Sequence, residues 1–262
     1  DVIARHELRA EKSLGQNFLL DSNITDKIAR TTGDLTNITV IEIGPGPGGL
    51  TRSLLKAGAK KVVAVEFDPR AVAAIAELAE SVPGRLEVIQ GDALNTDLLT
   101  LVPEGRRKIV ANLPYNIGTP LLIGWLEQIR DNPAAFETLT LMFQREVADR
   151  IVAGPGSKTY GRLSVITGWL CRAQRLFDLP PSVFIPPPKI SSSVVELVPV
   201  PLGEDAPTFA AMEEITAAAF SQRRKMIRSS LKAYSHALES TGIDPTLRAE
   251  NLTIADFEKL AR

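Results

Sequence analysis

A glycine-rich turn is the feature that most constrains how this 262-residue chain can fold. Residues 39–43 form a short apolar run, and the turn that follows contains Gly44, Gly46 and Gly49. Residues 50–57 then show the apolar spacing of a helix. A strand, a glycine turn and a helix in this order are typical of α/β folds that bind a nucleotide-like ligand against bare backbone. The turn therefore predicts the first unit of an α/β domain.

Strand-like and helix-like segments alternate after this turn. Strands are predicted at residues 61–66, 86–90, 108–111 and 136–143, and helices at residues 69–81, 119–129 and 144–153. In the helix predicted at residues 119–129, Thr119 is expected to be the cap and Pro120 to stand in the first turn. The alternation predicts a Rossmann-like fold, in which a doubly wound parallel sheet carries helices on both faces.

The last third of the chain changes character. Residues 180–188 contain five prolines and are predicted to lack regular structure, whereas residues 192–198 return as a strand. Residues 199–207 are predicted to be a linker, and the chain beyond is predicted to be helical. We place a domain boundary near Leu202, which gives a Rossmann-like domain at residues 1–201 and a small α-helical domain at residues 202–262.

Polar residues and a glycine stand where predicted strands end. Gly44, Glu66, Asp92 and Asn112 each follow or close one of the first four strands of the predicted sheet. Parallel strands have their carboxyl ends at one edge of the sheet, and ligands bind outside that edge. We therefore expect these four residues to surround one ligand.

Two kinds of cofactor fit the glycine turn. The spacing matches G-x-G-x-x-G and Glu66 follows Gly44 by 22 residues, which is also typical of nicotinamide-dependent oxidoreductases. However, a carboxylate at Glu42, directly before the turn, would repel a pyrophosphate and favour the ammonium and sulfonium groups of S-adenosylmethionine. Glu66 would then accept bonds from the ribose hydroxyls, and Asp92 from the adenine amino group. The oxidoreductase stays as an alternative.

The segment Asn112-Leu113-Pro114-Tyr115 predicts methyl transfer to an exocyclic amine. The lone pair of such an amine is delocalised into its ring, so the amine is a poor nucleophile. Acceptance of its two hydrogens by the Asn112 side chain and a main-chain carbonyl beside the rigid proline would favour the attacking geometry, and Tyr115 would stack on the base. The ring of Phe184, at the mouth of the proline-rich loop, could enclose a flipped base from the other side.

A basic stretch at residues 221–238 predicts contact with RNA. It has no acidic residue, and its apolar side chains recur at helical spacing, so we expect an amphipathic helix with a basic face. This local cluster matters because the net charge of the whole chain is only −1. The residues proposed to contact phosphates are Arg223, Arg224, Lys225 and Arg228.

Composition excludes several other classes of site. The chain contains one cysteine, Cys171, and two histidines, so we predict no disulfide and no metal site. The lone cysteine fits a reducing compartment such as the cytoplasm. No apolar run approaches the roughly 20 residues that a membrane span needs, and we expect no membrane association.

The chain resembles the ribosomal RNA adenine dimethylases, and within that family most closely the enzymes of the small subunit. Motifs in family order along nearly the whole chain carry the resemblance: Leu14-Gly15-Gln16-Asn17-Phe18-Leu19, Glu42-Ile43-Gly44-Pro45-Gly46-Pro47-Gly48, Asn112-Leu113-Pro114-Tyr115-Asn116-Ile117, residues 184–189 and Gln222-Arg223-Arg224-Lys225. Small departures are Gly118, where serine or alanine is expected, and Ile190, where valine is common.

The resemblance implies an enzyme that dimethylates N6 of two adjacent adenosines in a hairpin loop near the 3′ end of small-subunit rRNA. Its partners would be that rRNA and the immature small ribosomal subunit, and we expect a monomer in the cytoplasm, although an organellar matrix is also compatible. The resemblance assigns S-adenosylmethionine contacts to Asn17, Leu19, Gly44, Glu66, Asp92 and Asn112. It implies that Asn112 and the Pro114 carbonyl hold the target amine, and that Tyr115 and Phe184 stack on the base.

Two further alternatives are compatible with the same motifs. One is the large-subunit rRNA dimethylase that confers macrolide resistance, although the triple-proline loop and the arginine-rich stretch favour a small-subunit enzyme. The other is a binding module of transcription or ribosome assembly that keeps the fold. The presence of both Asn112 and Tyr115 argues against a loss of catalysis.

Overall fold

The computed structural model describes residues 1–11 and 16–262. The strands are β1 (Phe18–Leu19), β2 (Ile38–Ile43), β3 (Lys61–Glu66), β4 (Leu86–Gln90), β5 (Arg106–Asn112), β6 (Thr138–Gln144), β7 (Cys171–Leu179), β8 (Phe184–Ile185) and β9 (Ser192–Pro199). The helices are α1 (Val2–Arg5), α2 (Ser22–Thr31), α3 (Gly49–Lys56), α4 (Pro69–Ser81), α5 (Leu98–Leu101), α6 (Gly118–Asp131), α7 (Arg145–Val152), α8 (Arg162–Leu170), α9 (Phe209–Phe220), α10 (Ile227–Ser230), α11 (Ser235–Thr241) and α12 (Ile254–Ala261).

A seven-stranded sheet forms the centre of the described part of the chain, in the order β4-β3-β2-β5-β6-β9-β7. The first five strands in this order are parallel, and β9 and β7 are antiparallel to their neighbours. From β2 the chain moves outward through β3 to β4, and then crosses to the other side of β2 to form β5 and β6. This reversal of strand order opens a crevice at the carboxyl ends of β2 and β5, where ligands bind in such sheets.

The parallel strands form because the side chains in the middle of each strand are mostly apolar and both sheet faces are covered. In β3, Val62, Val63, Ala64 and Val65 are each at most 2% exposed. Such uninterrupted β-branched runs are typical of parallel strands under helices. The predicted Rossmann-like α/β fold is therefore confirmed, and β3, α4 and β4 begin and end at the predicted residues.

The C-terminal helices pack on the α/β part through aromatic side chains. Trp169 in α8 stacks on Phe209 in α9 with ring centroids 6.4 Å apart. The Tyr160 hydroxyl donates a hydrogen bond to the Leu252 carbonyl at 2.7 Å. Buried residues of α6, α8, α9 and α12 belong to one hydrophobic cluster. The helices after Leu202 share this core with the sheet. The division into two domains near Leu202 stays a prediction.

Several predicted elements are wrong. Residues 221–238 do not form one helix, because α9 ends at Phe220 and residues 227–241 form α10, a 3₁₀ turn and α11. The proline-rich loop is not wholly irregular, since Phe184–Ile185 pairs with β1. Strand β7 was not predicted. Thr119 does not cap α6, which begins at Gly118 with Ile117 at its N-cap and no side-chain cap.

Among residues 1–11 and 16–262, no helix combines the length and the apolar character that a membrane crossing requires.

Candidate active site

A cavity of about 250 Å³ lies at the carboxyl ends of β2, β3, β4 and β5. All the residues predicted to bind the cofactor line it, together with two of the residues predicted to hold the target base. They are Asn17, Leu19, Glu42, Gly44, Gly46, Glu66, Asp92, Asn112, Pro114 and Tyr115. The cavity therefore brings together residues that are up to 98 positions apart, from 17 to 115, in the sequence.

The glycine turn after β2 forms the floor of this cavity. Gly44, Gly46 and Gly48 have φ angles of 69°, 54° and 93°, which are unfavourable for residues with a side chain. Gly49 has no such angle, but a Cβ there would stand 2.7 Å from the Leu19 carbonyl oxygen. The glycines thus allow both the turn and its close contact with the N-terminal segment.

Glu42 is a buried carboxyl group that faces the cavity from the end of β2. It is 2% exposed, and the Thr51 hydroxyl donates a hydrogen bond to it. Burial raises its pKa to about 8, against the Thr51 bond, and the nearby Glu66 carboxylate adds to the rise. An uncharged Glu42 at neutral pH would ionise when a cation enters the cavity, so the residue fits a ligand that carries positive charge.

Glu66 connects the end of β3 to the glycine turn. Its Oε1 accepts a hydrogen bond from the Gly46 amide at 3.1 Å, and its Oε2 accepts one from the Asp68 amide at 3.1 Å. Burial raises the pKa of Glu66, while these backbone bonds act in the opposite direction. A carboxyl group fixed in this way can accept bonds from ligand hydroxyls without changing its position.

Asp92 follows β4 and caps a short 3₁₀ turn. Its Oδ1 accepts from the Leu94 amide at 3.0 Å and its Oδ2 from the Asn95 side chain at 3.1 Å. The carboxylate is therefore held rigidly at the cavity wall, although both oxygens already have protein donors. Each oxygen keeps a further lone pair for a ligand amino group.

Asn112 stands at the last position of β5, and its side chain is oriented by the N-terminal segment. Its Nδ2 donates a hydrogen bond to the Asn17 carbonyl at 3.1 Å. An amide has one amino group and one carbonyl oxygen, so this bond leaves Oδ1 available as an acceptor. This is the orientation needed to accept a hydrogen from a ligand amine.

The structure changes the assignment of the second acceptor. The Pro114 carbonyl already accepts from the Ile117 amide at 3.3 Å and the Gly118 amide at 3.1 Å, in the turn that leads into α6. Leu113 also lines the cavity and directly follows Asn112. Its carbonyl has no backbone donor in residues 1–11 and 16–262. Of these two carbonyls, the Leu113 carbonyl is therefore the one that keeps its hydrogen-bonding capacity for a ligand amine.

Tyr115 and Phe184 differ in their access to the cavity. Tyr115 is 38% exposed, and burial of its hydroxyl raises its pKa despite a hydrogen bond with Ser192, so the phenol is neutral. Phe184 is only 2% exposed, does not line the cavity and packs in a hydrophobic cluster with Leu19 and Val194. The predicted second stacking ring is wrong for this structure, because pairing of β8 with β1 buries that ring.

Sequence reasoning missed two exposed apolar side chains of the cavity. Phe67 is 61% exposed and Leu94 is 47% exposed, and both line the cavity beside the acids Glu66 and Asp92. A large apolar residue one or two positions after a strand-end acid is the signal that could have identified them. Apolar surfaces in these positions suit the two faces of a flat ring.

The basic residues of the C-terminal part fall into two groups. The Arg223 guanidinium donates to the carbonyls of Tyr160, Lys158 and Ser157 and pairs with Glu250, so it is a structural link and not a free phosphate contact. The other three predicted residues line a separate surface groove, which Arg248 extends. The groove residues that carry positive charge are Arg224, Lys225, Arg228 and Arg248.

The fold and the cavity define the class of α/β methyltransferases that use S-adenosylmethionine. The family described as ribosomal RNA adenine dimethylase matches residues 7–262. The chain belongs to this family.

Relatives with curated names are similar over almost the whole chain. The ribosomal RNA small subunit methyltransferase A of Mesorhizobium japonicum is 56% identical over 99% of this chain and 95% of its own length. The enzyme of the same name from Rhodospirillum rubrum is 54% identical over 100% of this chain and 90% of its own length.

Solved structures agree with the fold. A dimethyladenosine transferase from Plasmodium falciparum has a TM-score of 0.79 and 28% identity, over 93% of this chain and 95% of its own. The 23S rRNA methyltransferase ErmE has a TM-score of 0.68 and 25% identity, over 94% of this chain and 98% of its own. Family membership confirms the predicted cofactor and enzyme class, and neither the oxidoreductase nor the macrolide-resistance alternative is favoured.

Proposed function

We propose that this enzyme transfers methyl groups to N6 of two adjacent adenosines in the 3′-terminal hairpin loop of small-subunit rRNA. The names of relatives at 54–56% identity support the choice of the small subunit. The substrate would be the immature small ribosomal subunit, and the enzyme would act as a monomer in the cytoplasm, where that subunit is assembled. The observation that carries the chemistry is the orientation of Asn112 by the Asn17 carbonyl at 3.1 Å.

The cavity residues fit S-adenosylmethionine. Glu42 would neutralise its positive charge, Glu66 would accept from its ribose hydroxyls, and Asp92 would accept from its adenine amino group. Phe67 and Leu94 would cover the two faces of the adenine ring, and Asn17, Leu19, Gly44 and Gly46 would close the remaining walls. When bound, the cofactor supplies a methyl group that is already activated by a sulfonium.

The chain's own residues would prepare the target amine. Asn112 Oδ1 and the Leu113 carbonyl would accept the two N6 hydrogens, which favours a pyramidal nitrogen whose lone pair points at the methyl group. Tyr115 would stack on the target base, which contributes about 1–3 kcal/mol for a splayed base. No general base is required, because the amine proton can leave to water after the attack. Alignment of this kind can supply up to about 7–11 kcal/mol of the barrier.

The choice of substrate is tested with undermethylated ribosomal subunits. Purified enzyme is incubated with small and large subunits and radiolabelled cofactor, and the labelled nucleotides are mapped. We expect label at N6 of two adjacent adenosines of the small-subunit rRNA. Label confined to the large subunit would reject the proposal.

The role of Asn112 is tested by Asn112→Ala. Loss of one preorganised hydrogen-bonding group at a reacting centre typically lowers kcat by about 10²–10³-fold, so we expect at least that decrease in a folded protein. Asn23→Ala, on the exposed start of α2, is the matched control and should keep wild-type turnover. A near-normal rate in Asn112→Ala would show that another group holds the amine.

We also propose that Arg224, Lys225 and Arg228 bind rRNA phosphates. All three line one groove, in contrast to Arg223. Substitution of the three by glutamine should weaken substrate binding and reduce the slope of log affinity against log salt, by about 0.7–0.9 per lost phosphate contact. An unchanged slope would show that the groove does not bind RNA.

A further inference from the structure

The N-terminal segment at residues 16–19 forms one wall of the active-site cavity. Gln16, Asn17, Phe18 and Leu19 all line it, and the Asn17 carbonyl holds the Asn112 amide. The orientation of Asn112 therefore depends on where this segment lies. Phe18 and Leu19 are fixed by the two-residue ladder with β8 and by burial in hydrophobic clusters, whereas Gln16 and Asn17 precede the ladder and are positioned by other contacts.

Those contacts converge on Asp68. Its Oδ2 accepts from the Gln16 side chain at 3.2 Å, and its own amide donates to Glu66. The Asp68 side chain is 4% exposed. Burial alone would raise the pKa of Asp68, but the bonds from Arg70 and Gln16 outweigh it and lower the pKa, so this carboxylate is charged at neutral pH.

Arg70 holds Asp68 and the chain before the cavity wall at the same time. Its Nη2 pairs with Asp68 Oδ2 at 2.6 Å and with Glu11 Oε1 at 3.1 Å. It also donates to the Glu7 carbonyl at 3.3 Å and the Arg9 carbonyl at 3.2 Å. Gln16 is bonded back to Glu11, because the Glu11 amide donates to Gln16 Oε1 at 2.8 Å. One guanidinium thus fastens residues 7–11, and through Glu11 and Asp68 it fixes Gln16.

We propose that Arg70 and Asp68 are positioning residues for methyl transfer, which hold the N-terminal segment so that the Asn17 carbonyl orients the Asn112 amide. The proposal rests on the role of Asn112 under the proposed function. If the segment shifted, Asn112 would lose the acceptor that distinguishes its two amide atoms. The amide could then turn by 180° and present Nδ2, a donor, to the target amine, which would not align it for attack.

We call Arg70, Asp68 and their bonds to residues 7–11 and Gln16 the clamp. The chain offers a matched control for it. Arg5 and His6 bind Glu77 on α4, with Arg5 Nη1 2.6 Å from Glu77 Oε1, so they also fasten the N-terminus to the same helix as Arg70. These contacts have no link to Gln16, Asn17 or Asp68 among the described residues. Substitution of Arg5 therefore removes an N-terminal ion pair without affecting the route to Asn112.

The test compares Arg70→Ala, Arg70→Lys and Arg5→Ala. For each variant, kcat and KM are measured on undermethylated small subunits, cofactor affinity by calorimetry, and Tm without ligand. For Arg70→Ala we expect about a 10- to 100-fold lower kcat and weaker cofactor binding, because small misplacements of reacting groups are costly. Its Tm should fall by more than the about 4 °C expected for a surface ion pair, because the 4% exposed Asp68 carboxylate loses its cation, so kcat and cofactor affinity are measured well below the Tm of every variant. In Arg70→Lys the lysine keeps the pairing with Asp68 but loses the bonds to residues 7–11. Its kcat and cofactor affinity should therefore lie between those of the wild type and those of Arg70→Ala.

Two results would overturn the clamp: wild-type kcat and cofactor affinity in Arg70→Ala, or an equal loss of both in Arg5→Ala. Gln16→Ala provides a second test, because it acts through the same carboxylate. Its effect on cofactor affinity should be smaller in the Arg70→Ala background than alone, and full additivity would contradict the proposal. Cofactor affinity needs no RNA. A failure of the wild type to methylate small subunits would therefore reject the proposed function and leave the clamp to be judged by binding.

Discussion

At the scale of single residues, Glu42 has the most unusual acid–base behaviour in the cavity. Its carboxyl group is 2% exposed and its pKa is raised to about 8. Strand β2 carries it at the end of the central sheet between Ala64 of β3 and Val110 of β5, which offer it no polar side chain. A buried acid whose charge is further stabilised by an entering cation makes ligand binding dependent on pH.

We predict that cofactor affinity increases as pH rises from 6 to 8. Binding of a cation lowers the pKa of Glu42, so a proton leaves on binding when the pH lies between the lowered pKa and about 8. The affinity should rise by at most about tenfold per pH unit and then level off. Calorimetry in two buffers with different ionisation enthalpies measures the released proton directly.

Glu42→Gln is the matching variant, since glutamine keeps an acceptor for the Thr51 hydroxyl. We expect weaker cofactor binding that no longer changes with pH in this range. The same substitution should stabilise the ligand-free protein at pH 9 relative to the wild type. A carboxyl whose folded pKa exceeds its unfolded value loses its stabilising contribution as pH rises through about 8. If the cofactor affinity of Glu42→Gln still changed with pH, a group other than Glu42 would be the source of the released proton.

At the scale of elements, two glycines in helices illustrate opposite constraints. Gly49 begins α3, and a Cβ there would lie 2.7 Å from the Leu19 carbonyl oxygen, a backbone atom that cannot move alone. Gly124 lies on an exposed face of α6, where a Cβ would meet nothing within 4 Å. The first glycine is required by packing, whereas the second only costs helix stability.

We predict that Gly49→Ala destabilises the fold and weakens cofactor binding. The added methyl group must displace β1 from the glycine turn, at a cost of about 1–3 kcal/mol. Gly124→Ala should instead stabilise the protein by about 0.5–1 kcal/mol and leave cofactor affinity unchanged. Denaturant unfolding measures the stability of both variants, and calorimetry measures their cofactor affinity. Equal stability and equal affinity of the two variants would show that the contact with the Leu19 carbonyl affects neither folding nor binding.

The elements also show where sequence patterns succeed. Strands β2 to β5 were predictable because each contains a short apolar run and is followed or closed by a glycine or a polar residue. The stretch at residues 221–238 was not, because helical spacing of apolar residues does not decide whether the backbone continues. There the Ile227 amide bonds to the Leu247 carbonyl and the Arg228 amide to the Pro245 carbonyl, and these tertiary bonds replace helical ones.

At the scale of the whole molecule, Arg223 joins the C-terminal helices to the α/β part. Its guanidinium donates hydrogen bonds to the carbonyls of Ser157, Lys158 and Tyr160. The Tyr160 hydroxyl in turn donates to the Leu252 carbonyl. Arg130 makes a second link, from α6 to the Pro207 and Ala206 carbonyls. The two parts therefore share polar links as well as a hydrophobic core.

We predict that Arg223→Ala lowers the free energy of unfolding by about 1–3 kcal/mol, because the loss of its charge-assisted hydrogen bonds leaves their acceptor carbonyls without a donor. Arg224→Ala, one residue further, should leave stability within about 0.5 kcal/mol, as is usual for surface substitutions. Thermal and denaturant unfolding of both proteins checks the pair. Equal stability of the two variants would mean that Arg223 is an ordinary surface cation.

The sequence by itself determined the α/β class, the cavity edge and the strand-end residues that line it, because apolar strands and polar strand ends are local properties. Only the tertiary structure decided which atoms are available. It buried Phe184 under β1, bonded the Pro114 carbonyl in the turn before α6 and made Arg223 a link between two parts of the chain. It also placed Asp68 at the cavity wall and Arg70 behind it. Such outcomes depend on neighbours that are distant in sequence, and burial and hydrogen-bond partners cannot be read from spacing alone.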